Sequence, residues 1–429
     1  MLRRNGHLSL VTAQVLSAVR GQRVPVSKAE LVRLTDLSLA TVTEHVELLL
    51  DGGLLREEDV GVSSGGRKPK LYGFNSDGGR IVAIDLESTH VNVAVTDFCL
   101  RILASTSSDD LDVGQGPEIV LSHIRDLVFG LLQDAKVPPD QVKAVGMGLP
   151  GPVSVSTGLP SSLSIMPGWD NYPVGTFWKK HFDCPSYIDN NVYTMVLGER
   201  TANLDHRPAN MIFVKIGNGI GAGILCNGEI YRGATEHAGE IGHTSIGHDQ
   251  LCYCGNRGCL EAFAGGRAIA ARAEALARDG RSATLAAMLA DKKKLTLHDV
   301  VKAVGESDPD AVGLIRESGK AIGTVLAGLT NFFNPSHIVV GGGVSQVGDV
   351  FLAAIRQAIY QHSLPLTNRS VVISHSILGA NAGLIGAAIL ALDSTIAKAT
   401  SAGRDQRDQN DERKPVALNS QKMTGGARV

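Results

Sequence analysis

Between about Asp77 and Asp393 the chain alternates β-rich apolar runs with glycine turns and helical stretches. The runs include "RIVAIDLE", "VNVAVTD", "VKAVGMGLPG", "NMIFVKIGNGIGAGIL" and "HIVVGGGVS". Strand-like runs separated by helices argue an α/β fold for this region. The texture changes on either side. Residues 1–76 are helix-rich, with few glycines before "SSGGRKPK", while 394–429 are polar with almost no aliphatic periodicity, which reads as a disordered tail. A length of 429 residues favours two or three compact units, here a head (1–76) and a body (77–393) ahead of that tail.

Charge and cysteine usage narrow the class. A formal net charge of −2 excludes a globally basic nucleic-acid coat and leaves room for a local basic face. The start, "MLRRNGHLSLVTAQ", lacks the apolar run and cleavage site of a signal peptide. No apolar stretch long enough to span a membrane is expected. Cys99, Cys184 and Cys226 are scattered, whereas Cys252, Cys254 and Cys259 cluster. Such a cluster points to thiolates holding a metal in a reducing cytoplasm rather than to disulfides.

Within the head, Leu10, Ala13, Leu16 and Val19 recur at helical spacing, and Ser27 stands as the N-cap of a second helix, "KAELVRLT". A tight turn leads to "LATVTEHVELLLDGGLL", where Ser38 caps a third helix with Leu39, Val42, Val46 and Leu49 as its apolar face. Helix, short turn, helix is the geometry that lays its second member in a DNA major groove. Thr41, Thr43, Glu44 and His45 are then expected to face outward, beside Ser38, where base edges are met. "LLREEDVGVSSGGRKPKLYGFN" reads as two strands around a glycine-rich tip, a wing whose Arg67, Lys68 and Lys70 can reach phosphates or an A·T-rich minor groove. Ten Lys and Arg stand against eight Asp and Glu from Met1 to Lys70, so the positive charge must act locally. A helical protein-docking domain is the alternative; the basic wing favours DNA.

In the body, "VKAVGMGLPGPV", "KIGNGIGAGI", "EHAGEIGHTSI", "CYCGNRGCLE" and "IVVGGGVS" follow in the order and texture of the ROK family, which groups repressors, open reading frames and kinases. With a winged helix-turn-helix in front, the chain resembles that family's sugar-responsive transcriptional repressors, of the xylose-repressor and N-acetylglucosamine-repressor type. The resemblance covers about Leu10 to Leu392. It implies an actin- and hexokinase-like (ribonuclease H-like) body of two α/β lobes, with sugar in the cleft between them and, in kinase members, ATP there too.

His243 lies just upstream of the three clustered cysteines, and one histidine with three cysteines makes a closed tetrahedral set that leaves no position for a catalytic water. The expected ion is therefore a structural Zn2+, pinning the segment that carries Glu240, His243 and Glu261. The resemblance gives those three positions to sugar hydroxyls, with Asn190 and Asn191. Reduced, unmetallated cysteines are the alternative.

Whether the body transfers phosphate turns on two places. The resemblance puts a kinase's base at an aspartate eight residues before a glutamate; counting back from Glu199 gives Asn191, which cannot take a proton at neutral pH. Loss of a positioned base typically costs about 10² to 10⁴ in rate. Family kinases also carry Asp-x-Gly-Gly-Thr after the first strand, but here "DLEST" puts Glu87 and Ser88 at the glycine positions, where a carboxylate and two Cβ atoms oppose close approach of a triphosphate. The body thus reads as a sugar sensor, and the expected partners are an inverted-repeat operator, a sugar effector and a second copy of the chain, as a homodimer or tetramer. An active ATP-dependent sugar kinase and a regulator controlled by a partner protein are the competing readings. Trp169, in "PGWDNYPV", is expected to pack rather than stack on sugar.

Overall fold

The computed structural model describes residues 10–22, 24–58, 69–161, 166–202 and 208–412. The chain divides into one unit from Gly79 to Leu392 and another made of the residues up to Gly78 together with those from Asp393.

The first unit begins with α1 (Leu10–Arg20), β1 (Val26–Ser27), α2 (Lys28–Thr35), α3 (Leu39–Asp51), β2 (Leu55–Glu58) and β3 (Leu71–Phe74). Ser27 starts α2 through a reciprocal capping box with Glu30: Ser27 Oγ accepts from Glu30 N at 3.2 Å, and the Glu30 carboxylate accepts from Ser27 N at 2.7 Å. Asp36, at φ 56°, closes the helix in the left-handed region, and Ser38 Oγ then accepts from Thr41 N at 3.1 Å to start α3. Strand β3 pairs antiparallel with β2 on one side and β1 on the other. A helix-turn-helix followed by a small sheet is the winged arrangement. Residues 59–68, and with them Arg67 and Lys68, lie outside the described residues.

Two expectations for α3 need correction. Its inner face is Val42, His45, Val46, Leu48 and Leu49, while Leu39 is 58% exposed. His45 falls three residues after Val42 and one before Val46, so the helical period turns it inward. It is 3% exposed, with Nδ1 2.9 Å from Thr12 Oγ1, and does not face outward as a base reader.

The second unit repeats one sheet pattern. Strands β4 (Arg80–Leu86), β5 (Val91–Asp97) and β6 (Ile102–Ser108) form a meander, followed by α4 (Pro117–Asp134), β7 (Val142–Leu149), α5 (Val174–Lys179), β8 (Ser186–Asn190) and α6 (Asn191–Ala202). They make a sheet of order β6-β5-β4-β7-β8, antiparallel in the meander and parallel from β4 onward. Then come β9 (Met211–Ile216), β10 (Ile220–Cys226), β11 (Glu229–Tyr231), α7 (Leu260–Ala264), α8 (Gly266–Arg278), α9 (Ala283–Asp291), α10 (Leu297–Gly305), α11 (Pro309–Phe333), β12 (His337–Gly341), α12 (Asp349–His362), α13 (Pro365–Asn368), β13 (Val372–His375) and α14 (Ala382–Glu412). Their sheet, β11-β10-β9-β12-β13, has the same order and the same strand directions. Two lobes of one topology, each with its own apolar core, are the actin- and hexokinase-like duplication.

Central strands are apolar on both faces, as parallel sheets covered by helices require; β9, "MIFVKI", is buried at every position, its lysine included. The edge strand β6 instead alternates half-buried and exposed residues. Helix α14 crosses β7 and α6 at very close range, because a Cβ on Gly146 or Gly386 would collide with the backbone oxygen of Ala387 or Thr194. Contrary to expectation, Gly379–Ala397 is long and apolar enough to span a membrane, but most of it is buried in the fold, which makes it a core helix. The helix also runs on to Glu412, so the polar tail begins as helix instead of disordered chain. Its Ala, Lys, Arg, Gln and Glu are good helix formers, and no proline intervenes before Pro415. Residues 413–429 lie outside the described residues.

Candidate ligand cleft and metal cluster

A cavity of about 450 Å³ opens in the second unit, a size typical of small-molecule sites. Both lobes line it. Asn190 and Asn191 come from the β8–α6 junction, Glu87 and Ser88 from the end of β4, Lys215 from β9, Glu240 and Tyr253 from the long excursion between β11 and α7, and Glu261 from α7 itself.

That excursion is shaped by close packing and by the cysteines. Gly239, at φ +100°, sits so close to β10 that a Cβ would collide with Ala222 O; only glycine lets the chain turn there and present Glu240. Glu240 is reached by solvent, yet the concave wall around it raises its carboxyl above the usual range, chiefly by desolvation, with His243 opposing and Glu261 adding to the rise. Glu261 Oε2 accepts from Ile220 N at 2.7 Å, which fixes α7 against β10.

His243, Cys252, Cys254 and Cys259 come together with their donor atoms all within 4.8 Å of one another. His243 Nδ1 lies 3.6 Å from Cys252 Sγ, and Cys254 Sγ lies 3.7 Å from Cys259 Sγ. Sulfur atoms so far apart form no disulfide. Zinc–sulfur and zinc–nitrogen bonds of about 2.3 and 2.0 Å put tetrahedral donors roughly 3.5–3.8 Å apart, so the set fits a tetrahedral metal ion. Burial pushes the Cys259 thiol up to about 12, a height at which a nearby cation is needed to strip its proton. His243 Nε2 faces away from the cysteines, 3.2 Å from the Tyr253 hydroxyl.

The two asparagines are more engaged than the sequence implied. Asn190 Nδ2 donates to Gly151 O at 2.8 Å and its Oδ1 accepts from Val192 N at 2.7 Å. Asn191 Nδ2 donates to Leu86 O at 2.9 Å, leaving its oxygen and its second N–H without a protein partner among the described residues. Neighbouring Asp189 is held by both nitrogens of Arg232, at 2.9 and 2.6 Å, and the guanidinium lies over the Tyr193 ring. Trp169 is fully buried, with Nε1 donating to Val113 O at 3.0 Å, so it packs.

Lys215, Tyr253 and Arg232 escaped the reading of the sequence. Lys215 Nζ donates to Glu87 Oε2 at 2.5 Å, both side chains being nearly buried, and Asn218 Nδ2 donates to Ser88 Oγ and Thr89 Oγ1 at 3.1 and 2.9 Å. These bonds tie one lobe to the other. A lysine inside the apolar run "MIFVKI" was the available signal, since a fully buried lysine requires a partner. In the head, Ser38 is occupied with capping, Thr41 and Thr43 are half-buried, Glu44 is exposed, and Lys70 Nζ bonds the Glu57 carboxylate at 2.8 Å.

Residues 81–394 match the ROK family, and the chain belongs to it. Among curated proteins it is 30% identical over 352 residues to the xylose repressor of Caldicellulosiruptor bescii, covering 81% of this chain and 87% of that one. A solved ROK family transcriptional regulator, a homologue of the E. coli MLC protein, superimposes with a TM-score of 0.75 at 25% identity over 91% of this chain and 98% of its own. A ROK family glucokinase from Streptomyces griseus, solved with glucose and AMPPNP, gives a TM-score of 0.65 at 28% identity, covering 73% of this chain and 99% of its own.

Proposed function

We propose that this chain is a DNA-binding transcriptional regulator, a repressor of carbohydrate-utilisation genes, whose body senses a sugar without phosphorylating it. One observation carries the reading. At the position of a kinase's base stands Asn191, its amide engaged with Leu86 O, and the nearby carboxylate, Asp189, is already held by Arg232. A proton acceptor has to lie within hydrogen-bond reach of the sugar hydroxyl and be free to take its proton; neither residue meets that requirement. The repressor-type relatives align over the head as well as the body, whereas the glucokinase covers 73% of the chain, which supports a regulator over a kinase.

In this reading residues 1–76 grip an inverted-repeat operator through α3 (Ser38, Thr41, Thr43 and Glu44) and the wing (Arg67, Lys68 and Lys70). Residues 77–393 hold a sugar with Glu240, His243, Glu261, Asn190 and the Asn191 oxygen. A structural Zn2+ on His243, Cys252, Cys254 and Cys259 fixes the wall, leaving His243 Nε2 free of the metal. Sugar binding shifts a cytoplasmic dimer away from its operator-competent state. A mobility-shift titration on an inverted-repeat duplex recovered by in vitro selection tests this: a sugar should release the DNA without ATP. Release that requires ATP would favour the kinase, and release by no sugar would favour control by a partner protein.

A further inference from the structure

We infer that the cleft takes a sugar whose terminal groups are free hydroxyls and refuses the phosphate monoester of the same sugar, with Glu87 and Lys215 setting that preference. The inference rests on the sugar-sensing reading above and narrows its ligand.

Lys215 is the buried cation of the cavity, and its ammonium is committed to Glu87 Oε2 at 2.5 Å. A phosphate seeking that cation must displace a carboxylate that cannot leave, because Glu87 is anchored at the end of β4 and nearly buried. The other Glu87 oxygen carries no protein hydrogen bond among the described residues, and the residue lines the cavity. An ionised carboxylate only accepts hydrogen bonds. A sugar hydroxyl supplies the donor it lacks; a phosphate dianion supplies acceptors and repulsion.

The surrounding charge leans the same way. Once Glu87 and Lys215 are paired, Glu240 and Glu261 face the cavity against Arg267; Glu240 and Arg267 are both solvent-exposed and equally screened, which leaves the half-buried Glu261 as the stronger field. Like charges within a few ångströms in a partly dehydrated site readily give a preference of about a hundredfold.

Calorimetric titration of the full-length, zinc-loaded protein tests the inference. The probes are D-xylose, D-glucose and N-acetyl-D-glucosamine, each beside a phosphate monoester of the same sugar, with wild type and Glu87→Gln compared. The expected result is a neutral sugar that binds wild type at least about a hundredfold tighter than its ester, and a gap that narrows by about tenfold in Glu87→Gln. A cooperative thermal transition for the variant establishes that it is folded, and a gain of ester affinity cannot come from misfolding. An ester that binds wild type as tightly as its parent sugar overturns the inference while leaving sugar sensing intact. Unchanged discrimination in folded Glu87→Gln removes Glu87 from the role assigned to it. Binding by none of the probes overturns the sugar-sensing reading and this inference with it.

Discussion

Two groups of carboxylates lie at or beside the cavity, and they are held differently. Glu240 makes no side-chain hydrogen bond or ion pair among the described residues, with His243 its main electrostatic neighbour, and Glu261 uses one oxygen on Ile220 N. Glu240 sits on the excursion that the cysteine cluster shapes, and Glu261 on α7, two residues beyond Cys259. Glu87 and Asp189, at the ends of β4 and β8, are each locked to a cation reaching over from the other lobe, Lys215 and Arg232. Acceptors left open on one side can meet hydroxyls, while on the other Asp189 is taken up as a tie between lobes and Glu87 is a tie that keeps one oxygen open to the cavity.

The largest test removes the frame of the open side. Cys259→Ser deletes a fully buried donor, and structural zinc sites are worth on the order of 10 kcal/mol in apparent binding free energy. Bound zinc, measured by a chromogenic chelator, should fall from one per chain to near zero, with sugar affinity down by roughly a hundredfold. Next comes the tied side. Asp189→Asn breaks a bidentate pair around a nearly buried acid and should cost about 3 kcal/mol in chemical denaturation, with sugar affinity changed by less than about threefold. A large affinity loss there would erase the contrast between the two groups.

Glu240→Ala should weaken sugar by about 10- to 100-fold, the worth of a hydrogen bond to a charged group, and leave operator affinity unchanged in a mobility shift. Trp169→Phe loses the bond to Val113 O and some volume, for about 1–2 kcal/mol of stability with no change in sugar affinity.

The last test is a pH dependence. Asp85 is 1% exposed, its Oδ1 lacks a partner among the described residues, and its carboxyl is raised to about 8, first by burial and then by the Glu87 charge, against Lys215. The folded chain keeps a proton that the unfolded chain releases near pH 4, so stability present at low pH is lost as pH climbs from about 4 to about 8. Melting temperature should therefore fall by a few degrees between pH 6 and 8.5 in wild type and stay flatter in Asp85→Asn. Parallel curves would show that Asp85 is ionised throughout.

The α/β alternation and the metal set were legible because their signals are local, apolar runs between glycine turns and four donors within 17 residues, while the two-lobe topology came from the resemblance to the ROK family. The Glu87–Lys215 pair was not, since its members lie 128 positions apart and meet only when two lobes close on each other. His45 was misread for a different reason. A polar residue on the inner stripe of α3 looks outward-facing by composition, and only the 3.6-residue period places it beside Val42 and Val46. The tail failed the other way, because low aliphatic content hid good helix formers that continue a helix already begun at Ala382.

The most direct measurement is ATP consumption by the purified zinc-loaded chain, with D-glucose, D-xylose or N-acetyl-D-glucosamine at saturation and Mg2+ present. No sugar-dependent turnover above background is expected, in the same sample whose operator DNA the sugar releases. Sustained phosphorylation of any of these sugars would contradict that expectation.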